Sequence, residues 1–144
     1  MIARLRGQLA EKQLQRVVID VAGVGYDVSV PLSTLYALGE PGASVSVRIH
    51  THVREDAFQL FGFATALEQE LFERLIGVSG IGPKVALAML SGIEPTDLRR
   101  AIAHADITRL TAIPGVGKKT AELVVLEQKA RLPLPGDEQT APAV

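Results

Sequence analysis

A short stretch of sequence occurs twice in this chain, and the repeat limits the structures that its second half can adopt. Residues 78–86, VSGIGPKVA, align with residues 113–121, IPGVGKKTA, at an offset of 35 residues (Gly80 to Gly115). Both glycines, one lysine and one alanine coincide, and an apolar residue stands between the glycines in each copy. Such a turn before a helical pattern predicts a hairpin that ends at a helix N-terminus. The chain is therefore predicted to contain two units of helix, hairpin and helix.

The residues of this repeat carry groups that bind phosphate. The N-terminus of a helix offers backbone amides without internal acceptors, and the helix dipole favours an anion there. Glycines allow a close approach to the backbone, and lysines of the first turn add positive charge. The predicted DNA-contacting residues are Gly80, Ile81, Gly82, Lys84, Gly115, Val116, Gly117, Lys118 and Lys119. None is placed to contact a base edge, so the predicted binding is independent of base sequence.

Two other uses of glycine-rich turns are excluded by spacing. A nucleotide-hydrolysing P-loop requires GxxxxGK followed by Ser or Thr, but Ala112 stands at the first glycine and Lys119 at the last position. A dinucleotide-binding turn requires a third glycine, and Val85 and Thr120 stand there. The sequence therefore predicts no nucleotide hydrolysis by this chain, and no catalytic residue or cofactor.

The first 64 residues have the patterns of β-strands. Strands are predicted at residues 2–9, 16–21, 26–30, 44–53 and 58–63, with a short helix at 32–38. Five short strands with a helix before the fourth favour a Greek-key barrel of the OB type. The six Tyr and Phe residues are expected to be mainly core.

From Thr65 the apolar spacing changes to three and four, which indicates an all-α domain over residues 65–131. Thr65 and Glu68 are predicted to form a capping box at its first helix. Further helices are predicted at residues 83–90, 96–104, 107–111 and 118–130. The proline-rich residues 132–144 are predicted to be a linker or tail.

Charge and cysteine content constrain the function further. The chain has 15 Lys and Arg against 16 Asp and Glu, a net charge of −1. A nucleic-acid-binding protein is usually basic, so positive charge has to be concentrated on one surface. The chain contains no cysteine, and His50 with His52 is an incomplete zinc site, so no metal is predicted. Without a secretory signal or an apolar span, a cytoplasmic location and no membrane partner are expected.

Several segments together resemble the RuvA family of bacterial Holliday-junction branch-migration proteins. They are MIARLRG at the start, GVGYDVSVP (23–31), HVREDAFQLFGF (52–63), GIGPKVALAMLSG (80–92) and PGVGKKTAE (114–122). The resemblance covers residues 1 to about 131. It implies a non-catalytic subunit that binds four-way junction DNA in recombination and repair, as a homotetramer or an octamer. It also implies two protein partners, the hexameric ATPase motor RuvB and the nuclease RuvC.

The same resemblance gives a role to the acidic turn Arg54-Glu55-Asp56. From the residues alone, the turn is an ordinary solvated hairpin. By resemblance, Glu55 and Asp56 match the acidic pin at the centre of the tetramer. Four copies would place about eight carboxylates where the DNA strands cross, and their repulsion of phosphates would keep a continuous duplex away.

The chain also departs from the family pattern. The family has a third, motor-binding domain after the linker, whereas this sequence stops at Val144, so a missing domain and doubtful coupling to the motor are expected. Leu123 stands where arginine is usual, which predicts one fewer backbone contact, and Ser79 stands where asparagine is frequent.

Two alternative functions stay open from the sequence. Residues 114–122 also resemble the motif of helix-hairpin-helix DNA glycosylases, with Lys119 at the nucleophile position and Asp137 as the acidic partner. A single-strand DNA-binding protein of the OB type is the other alternative.

Overall fold

Five strands close into a barrel in the first unit of the structure, a computed structural model that describes residues 1–132. They are β1 (Arg4–Gln13), β2 (Arg16–Val21), β3 (Val24–Ser29), β4 (Ser44–Val53) and β5 (Phe58–Phe63), with helix α1 (Leu32–Ala37) before β4. The order around the barrel is β1-β2-β3-β5-β4, and β1 pairs with β4 to close it. Only the β3–β5 pair is parallel among these five pairings. The predicted five-stranded barrel is confirmed.

The barrel interior is filled by the alternate apolar residues of each strand. On β4, Val45, Val47 and Ile49 are buried, whereas the residues between them face outward. The interior also explains why β5 contains Gly62. A Cβ atom on this residue would lie 2.6 Å from Val28 Cγ1 and 2.8 Å from Val47 Cγ1. Glycine is therefore required by the packing of the barrel at this position.

Some strand ends differ from the prediction. β1 begins at Arg4 instead of residue 2, because Ile2 is held by the Thr51 hydroxyl, which accepts from Ile2 N at 3.1 Å and donates to Ile2 O at 2.6 Å. β3 begins at Val24 because the turn before it needs only two residues. These residues, Ala22 and Gly23, both have positive φ, 52° and 91°, as in a type I′ hairpin turn.

The expectation that the aromatic residues are core is wrong for two of them. Tyr36 is 73% exposed and Phe58 is 60% exposed. Tyr36 lies on the outer side of α1, whereas Leu35 beside it is buried and packs against the barrel core. Phe58 is the first residue of β5, beside the exposed turn that follows β4.

Helices make up the second unit, which begins at Leu71, whereas Met1–Glu70 forms the first unit. The helices are α2 (Ala66–Ile76), α3 (Pro83–Gly92), α4 (Pro95–Ala103), α5 (Ile107–Thr111) and α6 (Lys118–Gln128), followed by a 3-10 turn (Lys129–Arg131). This confirms the predicted change from strands to helices. Leu132 is fully buried, and residues 133–144 of the predicted tail lie outside the described residues. Within residues 1–132, each helix is too short or too polar to cross a bilayer.

A buried carboxylate fixes the first turn of α2 to α1 within the first unit, Met1–Glu70. Glu68 is only 3% exposed, and its Oε2 accepts hydrogen bonds from the hydroxyls of Ser33 at 2.6 Å and Thr34 at 2.5 Å. The Thr65 hydroxyl donates to Glu68 Oε1 at 2.6 Å and accepts from Glu68 N at 3.3 Å. The predicted capping box is thus present in part, with the carboxylate bonded to hydroxyls. Three hydroxyl donors offset the cost of burying this charge.

Replacement of Glu68 tests this network. Glu68→Ala leaves three hydroxyl groups without their acceptor, so we expect the free energy of unfolding to fall by about 2–3 kcal/mol. Glu70→Ala, an exposed residue of the same helix, is the matched control and should change it by less than about 0.5 kcal/mol. Urea denaturation of the two variants measures the difference. Equal unfolding midpoints would show that the carboxylate contributes nothing.

Candidate nucleic-acid interface

The two hairpins of the sequence repeat have nearly the same backbone conformation. The first glycine of each is in the left-handed region, with φ of 87° at Gly80 and 86° at Gly115. The second glycine is the N-cap of the next helix, with φ and ψ of −91° and 176° at Gly82 and −90° and 173° at Gly117. The left-handed conformation accounts for Gly80 and Gly115, since other residues adopt it at a cost. The repeat in sequence is therefore also a repeat in structure.

An apolar side chain anchors each hairpin. Ile81 is 5% exposed and Val116 is 6% exposed, so both point into the helical unit. Their amides are also engaged, since Ile81 N donates to Val78 O at 3.0 Å and Val116 N donates to Ile113 O at 3.1 Å. These two predicted contact residues therefore have no free N–H group for a ligand.

The hairpins are also packed together within the second unit. A Cβ atom on Gly92, at the end of α3, would lie 2.9 Å from Ile113 Cγ2. The side chain of Ile113, which is 3% exposed, occupies that space beside the second hairpin. Glycine at residue 92 thus allows the end of α3, which follows the first hairpin, to contact Ile113 at the start of the second hairpin.

The N-termini of α3 and α6 present amides that no protein oxygen accepts. The first helical hydrogen bonds are Ala86 N to Gly82 O at 3.0 Å and Ala121 N to Gly117 O at 2.9 Å. The amides of the residues just before Ala86 and Ala121 have no acceptor within the helix. The N-cap residues Gly82 and Gly117 also provide no side-chain acceptor for them. These unbonded amides make no hydrogen bond to any protein atom of residues 1–132, and we call them the open amides. They belong to Gly82, Lys84, Val85, Gly117, Lys118, Lys119 and Thr120.

Side chains cap two other helices of this chain, α2 and α5, whereas α1 and α4 have no side-chain cap. The N-cap of α5 is Asp106, whose carboxylate accepts from Arg109 N at 3.1 Å. The Thr65 hydroxyl serves the same purpose at α2. The second glycine of each hairpin stands where a capping Ser, Thr, Asp or Asn is usual, which is a sequence signal for the open amides that our sequence analysis did not use. Sequence reasoning missed the amides of Val85 and Thr120, although every helix leaves its first amides unbonded.

The charges around the open amides are positive. Lys84, Lys118 and Lys119 are exposed, and neither α3 nor α6 has an acidic residue in its first turn. Lys118 Nζ lies 4.0 Å from Glu122 Oε1, but both side chains are more than half exposed, so this pair is weak. Pro83 occupies the first position of α3 and lacks an N–H group. No helical hydrogen bond is lost, because an N–H group at this position has no acceptor within the helix.

Gly82 and Gly117 have no steric reason inside the protein to be glycine. Nothing lies within 4 Å of a Cβ atom built on either residue, and both have an ordinary negative φ. A side chain here would point into open space beside the open amides. The lack of one leaves the amides accessible from outside.

The acidic turn lies at the tip of the β4–β5 hairpin, in the barrel unit. Arg54 N donates to Ala57 O at 2.7 Å, which closes a four-residue turn around Glu55 and Asp56. Both carboxylates are exposed, as is Phe58 beside them. The turn thus presents two negative charges to solvent at the end of a hairpin.

The two histidines of β4 lie side by side before this turn. Their ring centroids are 6.4 Å apart, and the His52 ring accepts a hydrogen bond from Arg54 Nε at 3.0 Å. Burial lowers the pKa of His52, and the positive charge of Arg54 with the neighbouring His50 lowers it further. Both effects disfavour the protonated form of His52. No group of three or more His, Cys, Asp or Glu in residues 1–132 could hold a metal ion.

Comparison with known proteins agrees with this arrangement. Residues 1–62 match the family described as RuvA N terminal domain, and residues 72–130 match the SAM-like Helix-hairpin-helix tandem. The chain is 51% identical to a protein of Syntrophobacter fumaroxidans named Holliday junction branch migration complex subunit RuvA, over 99% of this chain and 74% of that protein. The chain belongs to the RuvA family. The resemblance inferred from the sequence segments is thus confirmed.

Further RuvA relatives match the chain to a similar degree. A protein of the same name from Solibacter usitatus is 50% identical over 99% of this chain and 73% of its own length. One from Geobacter sulfurreducens is 54% identical over 92% of this chain, which spans 66% of that relative's length. Of the two departures from the RuvA pattern, Ser79 is exposed in the first hairpin, and Leu123 is partly buried in α6.

Serine substitution separates the two kinds of glycine in the first hairpin. Gly82→Ser adds a hydroxyl that can cap α3, so we expect the free energy of unfolding to rise by about 0.3 kcal/mol. Gly80→Ser places a Cβ on a left-handed residue, so we expect a fall of about 1–2 kcal/mol. Chemical denaturation of both variants provides the comparison. A stronger destabilisation by Gly82→Ser than by Gly80→Ser would contradict the assignment of Gly82 as an unobstructed N-cap.

Proposed function

We propose that this chain binds four-way DNA junctions through the phosphate backbone, without base specificity, as the non-catalytic DNA-binding subunit of a branch-migration complex. One observation carries the proposal: two helix N-termini with open amides, exposed lysines and no acidic residue in the first turn. The relatives named above are subunits of a Holliday junction branch migration complex by name. The function of the whole protein is proposed on these two grounds.

The chemistry of the open amides supports backbone binding. N–H groups and ammonium groups are donors only, which matches the acceptor oxygens of a phosphate. Every nucleotide carries the same phosphate, so this contact is independent of sequence. Two hairpins in one unit contact the backbone at two points, which fixes the direction of a DNA arm on the protein.

We further propose that the chain acts as a homotetramer, with two tetramers forming an octamer as the second possible assembly. Four acidic turns at its centre would repel phosphates and keep a continuous duplex from occupying the crossover point. The partners are a RuvB-type hexameric ATPase motor and a RuvC-type junction nuclease, in the cytoplasm. Catalysis of strand movement then belongs to the motor.

A second candidate is single-strand DNA binding by the barrel. The exposed Tyr36 and Phe58 favour it, since exposed aromatic rings on an OB-type barrel stack with unpaired bases. This function predicts tighter binding to single strands than to junctions. The glycosylase alternative is disfavoured, because the first unit is a β-barrel. Its predicted acidic partner, Asp137, lies outside the described residues.

Alanine substitution of the two aligned lysines tests phosphate binding. We expect Lys84→Ala with Lys119→Ala to weaken binding to every DNA sequence alike, because each change removes a backbone contact. The slope of log affinity against log salt should become shallower by about one unit per lost contact. Lys129→Ala, an exposed lysine beyond α6, is the matched control. Filter binding to junctions of different sequence at several salt concentrations measures both effects.

A serine pair tests the open amides in the same assay. In Gly82→Ser with Gly117→Ser, each hydroxyl competes with phosphate for the amides, while the fold is retained. Affinity should fall without a change in lysine content. Phosphate binding by the hairpins would be contradicted by either of two results. One is a loss of affinity in the lysine variant that depends on DNA sequence, and the other is full affinity in the serine variant.

The acidic turn is tested by neutralising its charge. Glu55→Gln with Asp56→Asn should leave binding to duplex arms intact but reduce the preference for a four-way junction over linear duplex, because the central repulsion is lost. Competition gel-shift assays with both DNAs measure this preference, and the protein's mass in solution shows that assembly is retained. An unchanged preference would exclude the acidic turn from junction recognition.

A further inference from the structure

Three arginines lie together on the outer face of the barrel, where β1 pairs with β4. In this ladder Arg4 pairs with Arg48, Leu5 with Val47 and Arg6 with Ser46. Leu5 and Val47 are buried in the barrel core, so the alternate residues face outward. Arg4, Arg6 and Arg48 are all exposed, and we call them the arginine face.

The arginine face lacks compensating negative charge. Arg4 and Arg48 are directly opposite across the strands, and like charges in that position destabilise a sheet. No carboxylate of residues 1–132 lies within salt-bridge distance of Arg4, Arg6 or Arg48. Arg48 Nε donates instead to the neutral Gln69 Oε1 at 2.7 Å. By contrast, Arg16 on β2 is paired with Asp27 at 2.5 Å.

Polar residues continue the arginine face along β4 toward the acidic turn. Arg48, His50 and His52 alternate with the buried Ile49 and Thr51, so they follow one another on the outer side, and Arg54 comes just after the end of β4. Successive members are separated by about 7 Å, since a strand rises about 3.4 Å per residue. The arginine face thus lies at one end of a row whose other end is next to Glu55 and Asp56.

We propose that the arginine face is a second phosphate-binding surface for DNA, separate from the hairpins. This inference rests on the proposed function, since it assumes that the chain binds DNA. A guanidinium group binds phosphate through two parallel hydrogen bonds, and protein surfaces that bind DNA are positively charged and polar. Ser46 and Gln8, the outward neighbours in the ladder, are polar as well.

The test removes two charges of the arginine face from the full chain. Arg4→Gln with Arg48→Gln also relieves the repulsion between the paired guanidinium groups, so folding is retained. The slope of log affinity against log salt for duplex and junction DNA should become shallower by about 0.9 for each lost phosphate contact. Arg16→Gln, which alters an arginine that already has a partner, should leave the slope unchanged. Combined with Lys84→Ala and Lys119→Ala, the two losses should add.

The outcomes separate this inference from the proposed function. If the arginine variant keeps the original slope while the lysine variant loses affinity, the arginine face is not a DNA surface and the proposed function stands. If the unmodified chain fails to bind any DNA, the proposed function fails and this inference fails with it. If the arginine variant changes the protein's mass in solution and leaves the slope unchanged, the arginine face contacts another copy of the chain, which also overturns the inference.

Discussion

The amides at the start of a helix have no acceptor within that helix, and a helix without a side-chain cap leaves them to water or to a ligand. At α2 and α5 a side chain accepts from the backbone, through Thr65 and Asp106. At α3 and α6 a glycine occupies the same position and leaves the amides to solvent. Water satisfies them at little cost to folding, and an anion can replace the water. The rest of each hairpin, from its left-handed glycine to its buried apolar residue, keeps these amides facing outward.

Positive and negative charges are concentrated on separate parts of the surface. The net charge of −1 therefore does not indicate which partners the chain binds. One acidic residue, Glu68, is buried among hydroxyls and contributes nothing to the surface. Glu55 and Asp56 are confined to one turn, while Arg4 and Arg48 share one ladder without a carboxylate partner in residues 1–132. A chain with balanced charge can therefore have separate surfaces that attract and repel a phosphate backbone.

The features that could be predicted from the sequence are those whose physical cause is local. The hairpins follow from glycine spacing and Pro83, and β4 follows from alternation, so its predicted bounds of 44–53 match the structure. The features that were missed depend on residues far apart in the chain. Ser33 and Thr34 reach the Glu68 carboxylate from α1, and the opposition of Arg4 and Arg48 depends on strand register. No periodicity within one segment specifies such a register.

The most direct test of the central claim is a titration of the ¹⁵N-labelled chain with a short DNA duplex, followed by amide chemical shifts. The account predicts that the largest changes occur at the open amides, with Gly82, Lys84, Gly117, Lys118 and Lys119 shifting together. The amides of Ile81 and Val116, which are already bonded within the protein, should change less. If the open amides keep their shifts while DNA binds elsewhere on the chain, the hairpins are not the phosphate-binding elements and the account is wrong.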